Sequence, residues 1–173
     1  MANSAGMDVE FTHPPTLRVA LTALMANCWS PFIDGFIQYI PPGTNARLDW
    51  EWQPASGWSQ VLEALEANNA EGNSNRLLMR FENTLFDAAF EFFPDGDITI
   101  DCGIFRPRLQ KCCGFTDTNW LLLHIAAPLA NTGALIDKVC FSEIRSPDDQ
   151  PQLNQPQLSQ PELSQPELNP QAE

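Results

Sequence analysis

The sequence predicts an α+β domain: a mostly antiparallel sheet of about six strands with about three helices packed on one face. Two observations carry this. Between residues 77 and 102, apolar and polar residues alternate in three successive runs separated by short turn signals, the pattern of neighbouring half-buried strands. Elsewhere, apolar residues recur at spacings of three and four, the helical period. The resulting order is helix, two strands, helix, three strands, helix, strand.

The first helix follows His13-Pro14-Pro15-Thr16, since prolines suit a helix start and not its interior. Leu17, Leu21, Leu24 and Cys28 form its apolar stripe, with Ala20 between them, and it ends near Asn27. An extended segment, Phe36 to Ile40, leads through a Pro-Gly loop into Leu48-Asp49-Trp50-Glu51-Trp52-Gln53. Alternation there assigns Leu48, Trp50 and Trp52 to the core and Asp49, Glu51 and Gln53 to solvent. Ser56 is placed to cap a second helix that turns Trp58, Val61, Leu62 and Leu65 inward.

The three-strand run follows. Leu77, Met79 and Phe81 alternate with Arg80 and Glu82; Phe86, Ala88, Phe90 and Phe92 with Asp87 and Glu91; Ile98, Ile100 and Cys102 with Asp97 and Asp101. Asn83-Thr84 joins the first pair. Pro94-Asp95-Gly96-Asp97 joins the second, with Gly96 supplying a positive φ. Thr116 or Asp117 caps a third helix, carrying Trp120, Leu121, Leu123, His124 and Ile125 and closed by Pro128. Val139 to Ile144 is the last strand.

The 173 residues divide into a domain over 1–145 and a tail over 146–173. The tail repeats Gln-Pro-Gln-Leu-Asn and close variants. A proline every five residues blocks a helix each time. One leucine per repeat buries too little to offset about 1–2 kcal/mol of backbone ordering per residue. It is expected to be a disordered, solvated spacer.

The net charge is −13, unevenly distributed. Between Asp49 and Asp101 stand Asp49, Glu51, Glu63, Glu66, Glu71, Glu82, Asp87, Glu91, Asp95, Asp97 and Asp101 against Arg76 and Arg80 alone. Such acidity disfavours direct nucleic-acid binding and anionic membranes, both of which call for a basic surface. No apolar run approaches the ~18 residues of a membrane span. The five cysteines show no repeated spacing and no signal segment is evident, so a cytoplasmic protein with reduced thiols is expected.

Catalytic motifs are absent from the sequence: no Gly-rich phosphate loop, no G-x-S-x-G, no C-x-x-C metal pair. Neither a metal site nor a cofactor is expected. A Cys–His nucleophile could combine Cys102, Cys112 or Cys113 with His124, with Arg106, Arg108 and Lys111 depressing the thiol pKa. The simpler reading makes Cys102 a small core residue and His124 a structural one.

The reading adopted is a non-enzymatic, acidic protein-binding module, most concretely an inhibitor of immunity type that neutralises a basic partner such as a bacterial toxin nuclease. An adaptor or assembly chaperone with a flexible tail is the alternative, and an enzyme of unrecognised type using the Cys/His pair a further one. The expected interface comprises Asp49, Glu51, Asp87, Glu91, Asp97 and Asp101, with Phe93 as an exposed anchor beside them. Like charges on adjacent strands repel, and a cationic partner would relieve that repulsion.

Overall fold

A computed structural model describes residues 4–42, 49–103 and 116–144. The tail over 146–173, together with Leu48, Arg106, Arg108, Lys111, Cys112 and Cys113, lies outside the described residues.

Among the described residues the chain forms one sheet and three helices. The strands are β1 (Ser4–His13), β2 (Trp29–Ser30), β3 (Phe32–Ile33), β4 (Phe36–Ile40), β5 (Glu51–Pro54), β6 (Asn75–Phe81), β7 (Asp87–Phe92), β8 (Ile98–Cys102) and β9 (Leu135–Ile144). The helices are α1 (Leu17–Met25), α2 (Trp58–Ala70) and α3 (118–130). Strand order is β3-β4-β6-β7-β8-β1-β9, with β2 paired to β6 and β5 to β4. Every pairing is antiparallel. The α+β class is as expected, and the sheet is larger: nine strands instead of six.

The largest addition is β1, which sits between β8 and β9. Its alternation is regular, with Ala5, Met7 and Val9 buried and Asp8 and Glu10 on the other face. These residues meet the inward side chains of β6, β7 and β8: Leu77 and Met79, Ala88, Phe90 and Phe92, and Ile98, Ile100 and Cys102. All three helices close over this face. Leu17, Ala20, Leu21 and Leu24 of α1, Val61, Leu62 and Leu65 of α2, and Leu121, Ile125 and Leu129 of α3 belong to the same core.

Thr16 caps α1 by accepting from the Val19 amide, and Asp117 caps α3 by accepting from Trp120. Each satisfies a donor the first turn would otherwise leave open. Cys28, expected on the α1 stripe, lies beyond the helix end and is exposed, with φ +71°. A short 3-10 turn, Ala55–Gly57, takes the place of a Ser56 cap before α2.

Helix α3 does not stop at Pro128. It is α-helical over Thr118–Leu121, widens to a π turn over Leu122–Ala126, and returns to α over Ala127–Ala130. Pro128 has no N–H for the His124 carbonyl four residues back, and its ring crowds that oxygen. A local π widening accommodates both. The His124 carbonyl instead accepts from Trp29 Nε1 at 2.9 Å. Trp29 is fully buried, edge-on to Phe81, Phe86, Phe90 and Trp120.

Candidate interaction face

Antiparallel sheets often leave one face uncovered, and no described helix covers the face opposite α1–α3. Register places its side chains in rows. One row runs Ile40, Arg76, Glu91, Thr99, Asp8 and Cys140 from β4 across to β9. The next runs Leu78, Ala89, Asp101, Gly6 and Ser142. Arg80 stands opposite Asp87 beyond them.

The carboxylates are not left to repel one another. Arg76 reaches Glu91, at 3.3 Å from its Nε, and also Asp101. Arg80 donates to both oxygens of Asp87, at 2.6 and 3.0 Å, and contacts Asp34 at 3.5 Å. The Asp87 hydrogen bonds, outweighing desolvation, push the Arg80 guanidinium above its usual pKa. Ser74 donates to Glu91, Thr99 to Asp8 and Lys138 to Glu10. Exposed pairs of this sort add only about 0–1 kcal/mol each. Their effect is on geometry: they hold the carboxylates in fixed directions.

Of the expected interface residues, the structure brings together Asp87, Glu91 and Asp101 only. Asp97 accepts from the Phe11 amide at 2.9 Å, where the β1–β9 register shifts, so it is tied into the fold. Phe93 lies past the end of β7, in the turn that leads to β8, and lines a cavity against Pro14 and Pro15. It is therefore not an anchor beside the acidic row.

Asp49 is exposed at the β5 end, and Glu51 pairs with Tyr39 on the helix side of the sheet. Strand β5 has the reverse of its expected facing. Gln53 lies opposite buried Ile37, whereas Trp52 lies opposite Gln38 on the open face. Trp52 is 57% exposed and edge-on to Phe36, itself 44% exposed.

Residues that sequence reading missed complete the face: Asp34, Arg76, Arg80, Phe36 and Trp52. Asp34 sits at the β3–β4 turn with φ +53°, its side chain 81% exposed; Asp101 is 58% exposed. Arg76 and Glu91 are far less accessible, at 18% and 20%. The outward carboxylates are thus Asp34 and Asp101, each oriented by an arginine behind it.

No family model, curated protein or solved structure matches the chain. Function rests on geometry.

Of the Cys/His candidates, Cys102 and His124 are placed by the structure, whereas Cys112 and Cys113 lie outside the described residues. Cys102 is buried on the helix side of β8, opposite Ala5 and Ala88. The His124 ring packs on Phe81 and Trp120. No group of three or more His, Cys, Asp or Glu side chains among the described residues could hold a metal ion.

Tyr39, the single tyrosine in the chain, gives a clean pH readout. Burial, and then the neighbouring Glu51 charge, raise its phenol above the usual 10.0. A folded-state value above the unfolded one contributes stability that is intact below about pH 10 and lost as pH rises through the folded value. Ultraviolet titration is expected to show ionisation above that of free tyrosine. Glu51→Gln should lower the midpoint only part of the way, because burial is the larger cause. A midpoint at the free-tyrosine value would contradict the burial.

Proposed function

We propose that this chain is a protein-binding module whose open sheet face takes a basic partner. The observation that carries the reading is the pair of outward carboxylates, Asp34 and Asp101, held by Arg80 and Arg76 on a face that also presents Phe36 and Trp52. Groups fixed before association lose little freedom on binding. An exposed tryptophan beside ordered charges has the composition of a binding hot spot. The acidity of the chain, net −13, steers a cationic partner toward it.

In its most concrete form the protein is an inhibitor of immunity type, acting in the cytoplasm by occupying the basic groove of a toxin such as a nuclease. No described helix is long and apolar enough to cross a membrane.

The arginine pairing decides which substitutions test this. Reversing Asp87 and Glu91 to lysine would set new positive charges against Arg80 and Arg76 and disturb the fold itself. Asp34→Asn keeps a residue that tolerates positive φ, and Trp52→Ala removes an exposed ring. A partner captured from the native host at low salt should lose about 2 kcal/mol or more of binding energy with Trp52→Ala. Its association rate should fall with salt and with Asp34→Asn plus Asp101→Asn. Thermal midpoints should stay near wild type. Unchanged affinity across these variants would remove the open face as the interface.

A further inference from the structure

The two outward carboxylates of the open face have different neighbours. Asp101 stands on β8, three strands along the sheet from β4. Asp34 and Gly35 form the two-residue turn that joins Ile33 to its partner Phe36, so Asp34 adjoins the exposed rings. Both turn residues have positive φ, +53° and +86°, as a tight hairpin of this length requires. Phe36 begins β4, and Trp52 meets it from β5, edge-on at 6.2 Å between centroids. An edge-on pair leaves ring faces open, and both rings are well exposed. Gln38, opposite Trp52, puts a further acceptor on the same face.

The charge at this end is not balanced internally. Asp87 engages Arg80 through both oxygens, at 2.6 and 3.0 Å. Asp34 meets the same arginine through Oδ1 alone, at 3.5 Å, beyond the usual range of an N–H···O bond. Two carboxylates around one guanidinium leave a net negative charge, and the Asp34 oxygens keep lone pairs for stronger donors. Arginine fits this arrangement better than lysine. A planar guanidinium donates to both oxygens of a carboxylate while its face rests on an aromatic ring, and it is more weakly hydrated than an ammonium. An ammonium is a point charge with no plane to lay on Phe36 or Trp52.

We propose that Asp34, Phe36 and Trp52 form a binding site for an arginine side chain of the basic partner, its guanidinium paired with Asp34 and stacked on the rings. The proposal rests on the protein-binding reading and deepens it by naming the side chain the partner must present.

The probe is acetyl-Gly-Arg-Gly-amide, titrated into the ¹⁵N-labelled full chain beside its lysine and citrulline counterparts. The arginine peptide should give saturable shifts at the Trp52 indole N–H and at the amides of Gly35 and Phe36, with a Kd on the order of millimolar. The lysine peptide should bind about fivefold or more weaker. The citrulline peptide keeps the planar shape without the charge and should not saturate. Asp34→Asn and Trp52→Ala should each weaken the arginine peptide by a similar factor, with the spectrum elsewhere as in the wild type. Three results would each overturn the proposal: no saturable shift with arginine; lysine binding as tightly as arginine; or arginine binding either variant as it binds wild type. The peptides need no partner, so a failure here is told apart from a failure of the protein-binding reading, which the captured partner's affinity for Trp52→Ala decides.

Discussion

Trp29→Ala is expected to destabilise the protein by about 3–5 kcal/mol, the scale of deleting a large buried aromatic. The loss has two parts that can be separated. The ring fills the centre of the aromatic cluster, within 4.9 to 6.2 Å of Phe81, Phe86, Phe90 and Trp120 by centroid. The indole N–H serves the His124 carbonyl, whose ordinary helical donor would be Pro128. Trp29→Phe keeps much of the packing and removes the donor, so it should cost about 1–3 kcal/mol for an unsatisfied buried carbonyl. Pro128→Ala restores a backbone N–H at the right position. In that background Trp29→Phe should become cheaper, giving a coupling a double-mutant cycle can measure by urea denaturation. Strict additivity of the two substitutions would show that the proline and the indole do not share the carbonyl.

Gly96→Ala is the second large effect, expected at about 2–4 kcal/mol from two sources. Gly96 has φ +92°, and a Cβ built there would lie 2.1 Å from Pro14 Cβ. Gly35 and Gly133 have nearly the same φ, +86° and +88°, but a Cβ at either meets nothing within 4 Å. Their alanine variants carry the backbone strain alone, about 1 kcal/mol. The difference between Gly96→Ala and these controls reports the contact between the β7–β8 turn and Pro14, ahead of α1. If all three variants lost the same stability, that contact would be loose enough to give way.

Strands β6, β7 and β8 were legible because each has one wet and one dry face, so burial writes itself into every second residue. Strand β1 carries the same code in Ala5, Met7, Val9 and Phe11. Its apolar positions begin with a small residue, and Gly6 takes one of the polar positions between them, which weakens the alternation, so it drew no strand assignment. Strand β5 shows the limit of periodicity. Alternation identified an extended segment, yet Trp52 faces outward and Gln53 lies opposite Ile37, because pairing with β4 alone leaves both faces only partly covered.

The ion-paired row was closer to hand than a charge count suggests. A turn centred on Asn83-Thr84 sets Arg80 across from Asp87 and Arg76 across from Glu91, as the β6–β7 register has it. Composition shows eleven acids against two bases in that stretch; only the turn shows where the two bases stand. The contact of Asp34 with Arg80, and the approach of Gly96 to Pro14, depend on elements apart in the chain. Local pattern holds no record of them.

The position of β1 has a consequence for how the molecule is made. Among the described strands β1 leaves the ribosome before all the others and β9 after them, yet the two are neighbours, with Ser4 opposite Ile144 and His13 opposite Leu135. Strand β8, the other partner of β1, emerges directly after β7. A nascent chain can form the β6–β7–β8 meander with α1 and α2 early, while β1 keeps the edge meant for β9 unpaired. Non-local pairings of this kind slow folding, and an unpaired edge is a template for other chains. The acidic side chains Asp8 and Glu10, set along that waiting strand, give it a charge that discourages such encounters until synthesis delivers its partners.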